Sequence, residues 1–118
     1  MAKIRITDLR LRAIIGTNDW ERKKKQDVVV NVVFNYDAAK ASASDDLRHA
    51  VDYKEMTKAI IQEVGASRFF LLEKLADVIL KIVLGFPKVT EASVRVDKPK
   101  ALRFADSVSV EVTRKRKS

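Results

Sequence analysis

Ala92-Ser93-Val94-Arg95-Val96-Asp97 and Ser107-Val108-Ser109-Val110-Glu111-Val112-Thr113 decide the architecture. In both stretches apolar and polar residues alternate without a slip. Side chains on a strand point to opposite faces in turn, so each stretch buries one face and keeps the other polar. Together they read as a hairpin of two long strands. Before it, Phe69, Leu72, Leu75, Ala76, Ile79, Leu80 and Val83 recur at helical spacing over residues 68–85. Ser67 is the expected N-cap of this helix, and Gly85 and Pro87 its stop. Met56, Ala59, Ile60 and Val64 place another helix near 53–65, with Gly65 ending it. Residues 37–52 are mostly small and polar, with Asp45-Asp46 as turn formers. Residues 27–36 are dense in β-branched side chains and read as strand. Within 3–15, Ile4 and Ile6 are out of phase with Leu9 and Leu11, which predicts a strand with a bulge near Thr7-Asp8.

The order is therefore ββααββ. The fold class is α+β: an antiparallel four-stranded sheet with two helices on one face, in one domain over residues 1–118. Arg114-Lys115-Arg116-Lys117-Ser118 reads as a basic, frayed tail. Four long strands leave long edges, and the hairpin has a polar second face. Sheets of several copies joined edge to edge would close a barrel with a polar lumen. The 11-residue connection from Gly16 to Gln26 exceeds a tight turn and is a place for functional residues.

Composition narrows the chemistry. The chain has no cysteine, which excludes thiolate catalysis, disulfides and thiolate metal sites. His49 is its one histidine, so a multi-histidine metal site within one chain is excluded too. Met1-Ala2-Lys3-Ile4-Arg5-Ile6 is interrupted by charge at once, and no apolar run approaches membrane length. A cytoplasmic protein with no membrane partner is the expectation. The net charge of +8 suits an anionic ligand or simply a solvated basic surface. A nucleic-acid-binding module is the rival class, but the paired exposed aromatics of a base-stacking sheet are missing. We expect no nucleic-acid partner.

Four segments carry a resemblance. They are Leu9-Arg10-Leu11-Arg12-Ala13-Ile14-Ile15-Gly16 with Asp19-Trp20-Glu21 and Gln26; Val51-Asp52-Tyr53; Phe70-Leu71-Leu72-Glu73-Lys74-Leu75-Ala76; and Val94-Arg95-Val96-Asp97-Lys98-Pro99 running into Ala101-Leu102-Arg103-Phe104-Ala105-Asp106-Ser107-Val108. In this order they resemble the dihydroneopterin aldolase family, with its close relative dihydroneopterin triphosphate epimerase, over about residues 4–113. The Leu9–Arg12, Thr57–Ile61 and Ala101–Ser109 stretches look more like the epimerase, the branch the resemblance leans to; Asp19-Trp20-Glu21 looks more like the bacterial aldolase. The resemblance implies the tunnelling fold, with subunits in rings of four that stack into octamers and share active sites. It implies cofactor-free retro-aldol chemistry on a reduced pterin side chain, giving C2′ epimerisation, cleavage to 6-hydroxymethyl-7,8-dihydropterin and glycolaldehyde, or both. Aldolase activity in folate biosynthesis is the alternative, and a relative with the fold but no activity a further one.

The resemblance also assigns candidate residues. Glu73 would anchor the pterin, whose amino group and ring N–H can both donate to one carboxylate. From pattern alone it reads as an exposed helical glutamate. Lys98, at a strand end before Pro99, would move protons through an ordered water; it could equally be one more solvated lysine. Glu21 would reach the substrate side chain from a neighbouring subunit, or be a loop glutamate neutralised by Arg22 and Lys23. Tyr53 would relay a proton near C2′ across the subunit interface, or be an amphipathic tyrosine at a helix start. Val51 and Asp52 would line the pterin through backbone groups, and Leu72 would pack on its ring or simply fill the core. Lys100 and Arg103 are candidates to meet a triphosphate. No metal or cofactor is expected, because the imine beside the side chain is itself the electron sink.

Overall fold

Residues 1–117 are described by the computed structural model. The strands are β1 (Ala2–Ile15), β2 (Gln26–Tyr36), β3 (Arg68–Phe69), β4 (Val89–Pro99) and β5 (Ser107–Lys115). The helices are α1 (Ala39–Ser44), α2 (Tyr53–Ala66) and α3 (Leu72–Leu84), with 3-10 turns at Asp19–Arg22 and Leu47–His49. The sheet order is β3-β1-β2-β4-β5. The four long strands are antiparallel, and β3 adds to β1 in parallel through Ile14–Arg68 and Ile15–Phe69.

The alternation read in the sequence becomes register. Val30 pairs with Val96 and Val32 with Val94, while Val96 faces Val110 and Val94 faces Val112. Paired residues share a face, so these valines form one apolar surface. Helix α2 lies against β1 and α3, and α3 against β4 and β5, so both cover that surface. Met56, Ile60 and Val64 of α2 and Leu75, Ile79 and Val83 of α3 are fully buried there. Each such side chain contributes about 1.5–3 kcal/mol of burial. The β1 register shifts between Ile6 and Leu9, with Asp8 at φ 53°, which is the expected bulge. It lets Ile4, Ile6, Leu9 and Leu11 all reach the helix-covered face.

Several local expectations are corrected. The sheet has a fifth strand, the two-residue β3. Ser67 does not cap α3; its hydroxyl donates to the Val64 carbonyl and closes α2, while Leu71 takes the N-cap position of α3 without a side-chain bond. Phe69 accordingly sits on a strand, and Gly65 lies inside α2 rather than ending it. Residues 39–44 form the short α1, ended by Asp45 at φ 55°. The basic tail is strand through Lys115, and the Arg116 guanidinium donates to the carbonyls of Val89 (2.7 Å), Phe86 (3.2 Å) and Leu84. Ser118, the last residue of that expected tail, lies outside the described residues.

The outer columns of the sheet are only partly covered. Ile4, Ile6, Leu9 and Leu11 of β1 and Val108, Val110 and Val112 of β5 are half-buried. Among the described residues, β5 has no partner on its outer side, and β1 is paired outward only through Ile14 and Ile15. No helix among them is long and apolar enough to cross a membrane.

Candidate active site

The connection from β1 to β2 carries Glu21. Asn18-Asp19-Trp20-Glu21 folds as a 3-10 turn in which the Asn18 N–H donates to Glu21 Oε1 at 3.1 Å. Gln26, the first residue of β2, donates its amide to Glu21 Oε2 at 3.2 Å and to the Ile15 carbonyl at 2.7 Å. Lys98, one residue before the end of β4, brings its ammonium onto the same Oε2 in an ion pair. Glu21 is 4% exposed. Burial alone would push its carboxyl up, but the Lys98 ammonium, the Asn18 N–H and the Gln26 amide outweigh that and hold it below its ordinary value. Gly16 makes the arrangement possible. Its φ is +121°, and a Cβ there would overlap the Glu21 carboxylate.

This pair lies beside a cavity of about 430 Å³. Leu72 and Glu73, at the start of α3, line it from another side, and Lys100 borders it after β4. Leu72 is buried; Glu73 is exposed and makes no ion pair among the described residues. An anion in the first turn of a helix is electrostatically favoured. Trp20, Phe70 and Leu71 also border the cavity and are more than half exposed. Below Lys98, the neighbouring Asp97 accepts from Arg95 Nε (2.8 Å) and Ser107 Oγ (2.9 Å). Arg95 and Ser107 hold the Asp97 carboxyl below its usual range against the opposing effect of burial. The Ser107 bond ties β5 to β4 at the lysine's root, while the Arg95 bond runs along β4 itself.

One chain thus brings Glu21, Lys98, Leu72, Glu73 and Lys100 together, so the expectation that Glu21 comes from a subunit neighbouring the anchor is corrected: the ion pair with Lys98 holds it beside Glu73 of its own chain. The other candidates lie elsewhere. Tyr53 is 53% exposed and opens a shallow hollow of about 730 Å³ over α2 with Thr57, Lys58 and Ile61. Val51 and Asp52 line a different hollow of about 320 Å³ with Phe86 and Lys88. Asp52 caps α2, accepting from the N–H groups of Lys54 and Glu55 at 3.1 Å. Arg103 does not border the cavity; its guanidinium lies 5.4 Å over the ring of the exposed Phe104. The plain alternative for Glu21, neutralisation by Arg22 and Lys23, is not what the structure shows, because its partner is Lys98 from 77 residues away.

Several contributors carried no assigned role in the sequence. Asn18 was legible: Asn-x-x-Glu has the spacing of a capping box. Gly16 and Gln26 meet Glu21 from five residues away, through a positive φ and a side-chain amide that spacing does not mark, and Arg22 reaches the carbonyls of Arg68 and Phe69, distant in sequence.

The dihydroneopterin aldolase family model matches residues 4–113. The dihydroneopterin triphosphate 2′-epimerase of Pseudomonas aeruginosa is 50% identical over 110 residues, covering 93% of this chain and 89% of that protein. The dihydroneopterin aldolase of Haemophilus influenzae is 30% identical over 114 residues, 97% of each. The structure of Escherichia coli dihydroneopterin aldolase in complex with neopterin matches with a TM-score of 0.91 and 27% identity, covering 97% of this chain and 99% of that one. By sequence and by architecture, this chain belongs to the dihydroneopterin aldolase family.

Proposed function

We propose that this enzyme cleaves and re-forms the C1′–C2′ bond of the side chain of 7,8-dihydroneopterin or its triphosphate. The observation that carries the reading is the buried Lys98–Glu21 pair beside a cavity that also presents Glu73. Glu73 accepts the paired amino and ring N–H donors of the pterin, with Leu72 against the ring. The Lys98–Glu21 pair takes the proton of the C2′ hydroxyl through an ordered water. The C1′–C2′ electrons move into the adjacent C=N bond, leaving an enamine and an aldehyde. For the free pterin, protonation at C1′ and release complete the cleavage to 6-hydroxymethyl-7,8-dihydropterin and glycolaldehyde; from the triphosphate the aldehyde fragment keeps its phosphates. Re-addition of the retained aldehyde on its other face inverts C2′. The 50% relation to an epimerase, against 30% to an aldolase, favours inversion as the main outcome. Cleavage is the second reading.

Tyr53, Val51 and Asp52 enter from a second copy. Their separation from the cavity within one chain, the half-covered outer columns and the free edges all favour a closed ring of four, stacked in pairs. Tyr53 then supplies a hydroxyl near C2′. Lys100, at the cavity border, meets the phosphate chain of a triphosphate; Arg103 reaches it only if the Phe104 loop folds over. Neutralising Lys100 should raise KM for the triphosphate and not for the free pterin.

The test is chromatographic: dihydroneopterin and its triphosphate in parallel, resolving the C2′ epimer from the cleaved product, with wild type and Lys98→Met. Conversion by wild type and at least a 100-fold loss in Lys98→Met support the reading. No turnover of either substrate by wild type, or full activity without Lys98, would sink it.

A further inference from the structure

Arg22 follows Glu21 directly, yet its guanidinium turns away from that carboxylate. It donates to the Gly16 carbonyl at 3.1 Å, to the Phe69 carbonyl at 2.9 Å and to the Arg68 carbonyl. It also lies 4.0 Å over the ring of Phe70. The bond is returned: Arg68 Nη2 donates to the Arg22 carbonyl at 3.0 Å. One planar group therefore spans two stretches of chain, 16–22 and 68–70. A guanidinium presents its donors in a fixed fork and stacks on aromatic faces, which an ammonium cannot reproduce.

The position of this clamp matters because the backbone link it reinforces is short: Ile14 and Ile15 pair with Arg68 and Phe69, and the Gly16 N–H donates to the Phe69 carbonyl at 3.4 Å. Strand β3 is two residues long. Leu71, the N-cap of α3, has no side-chain bond to the helix it begins. Glu73 is two residues further on. Glu21, in contrast, is held by Asn18, Gln26 and Lys98, with no contribution from the Arg22 side chain. The proton-transfer pair and the pterin anchor thus lie on different stretches of chain, which the short β1–β3 pairing and the Arg22 guanidinium hold together.

We propose that Arg22 is a positioning residue: it sets the anchor segment 68–73 relative to the Lys98–Glu21 pair without touching substrate. This rests on the pterin reading above. Removing the clamp should loosen the anchor and leave the acid–base pair intact, so binding and chemistry should separate.

The experiment measures neopterin affinity by titration calorimetry, and kcat, KM and the pH profile of kcat on dihydroneopterin, for wild type, Arg22→Ala and Arg22→Lys. The expected result is a rise of about 10- to 100-fold in neopterin Kd and in KM, the scale of a displaced positioning contact. We expect kcat to stay within about threefold and its pH profile to be unmoved, because a uniform binding loss leaves kcat alone. Methylguanidinium in the buffer should restore part of the affinity of Arg22→Ala. Arg22→Lys keeps charge and stem, so it decides the matter if Arg22→Ala does not fold; it too should lose affinity. Neopterin affinity within twofold of wild type in a folded variant would overturn the proposal. So would a fall in kcat with a shifted pH profile, which would place Arg22 on the acid–base pair instead. A wild type that neither binds neopterin nor turns over dihydroneopterin would refute the pterin reading, and this proposal with it.

Discussion

Replacing Gly16 by alanine should damage stability and catalysis together. At φ +121° an L-residue is strained by about 1–3 kcal/mol. The new methyl group would also occupy the space of the Glu21 carboxylate, which must move. Moving it breaks the bonds from Asn18 and Gln26 and leaves Lys98 unpaired. Breaking a buried ion pair costs about 3–5 kcal/mol. The Lys98 side chain keeps 13% of its surface in water, so the lower end of that range is the better guide. We therefore expect a loss of about 4–6 kcal/mol, a large share of the roughly 5–15 kcal/mol available to a domain. The assay is urea unfolding at fixed protein concentration, read as a change in midpoint at constant slope. Gly65→Ala is the matched control. It lies inside α2 with open space where its Cβ would go, so it should gain about 0.5–1 kcal/mol. A Gly16→Ala variant within 1 kcal/mol of wild type, or one that moves with Gly65→Ala, would refute the packing argument.

Three further outcomes are expected. Glu21 and Asp97 both have depressed carboxyl values. Their stabilisation is fully present above their unfolded values, about 4.3 and 3.9, and is lost as pH falls through the lower folded values; Glu21→Gln should flatten that acid limb of stability. Trp20, the chain's one tryptophan, borders the cavity. Neopterin should therefore change its fluorescence, and Glu73→Gln should weaken the titrated affinity by about 1.5–3 kcal/mol, roughly 10- to 150-fold. Arg116→Ala should lower stability by about 1–2 kcal/mol because three carbonyls lose their donor, while Lys117→Ala should be neutral in the same thermal melt.

The sequence carries the large elements because periodicity is a local signal that burial enforces along a whole strand or helix. The slip between Ile6 and Leu9 is readable as a bulge for the same reason: only an extra residue restores both halves to one face. What stays illegible is decided by partners distant in sequence. Residues 67–71 read as the start of a helix, yet two residues pair with β1 and Ser67 turns back to Val64. The run Arg114–Lys117 has the composition of a tail, but Arg116 finds the carbonyls around the end of α3. In the site, Glu73, Leu72 and Lys98 meet at one cavity. The partner of Glu21 could not be read: a carboxylate followed by four cations suggests a local ion pair, and tertiary packing selects Lys98 instead.

The most direct test is subunit complementation. Lys98→Met disables one wall of the proposed shared site and Tyr53→Phe the other. Each variant alone should be nearly inactive toward dihydroneopterin. Unfolded together in equal amounts and refolded, random mixing should give about one quarter of the sites both native groups, and activity should return to about that fraction of wild type. Mixed protein no more active than the two variants would contradict a site built from two copies.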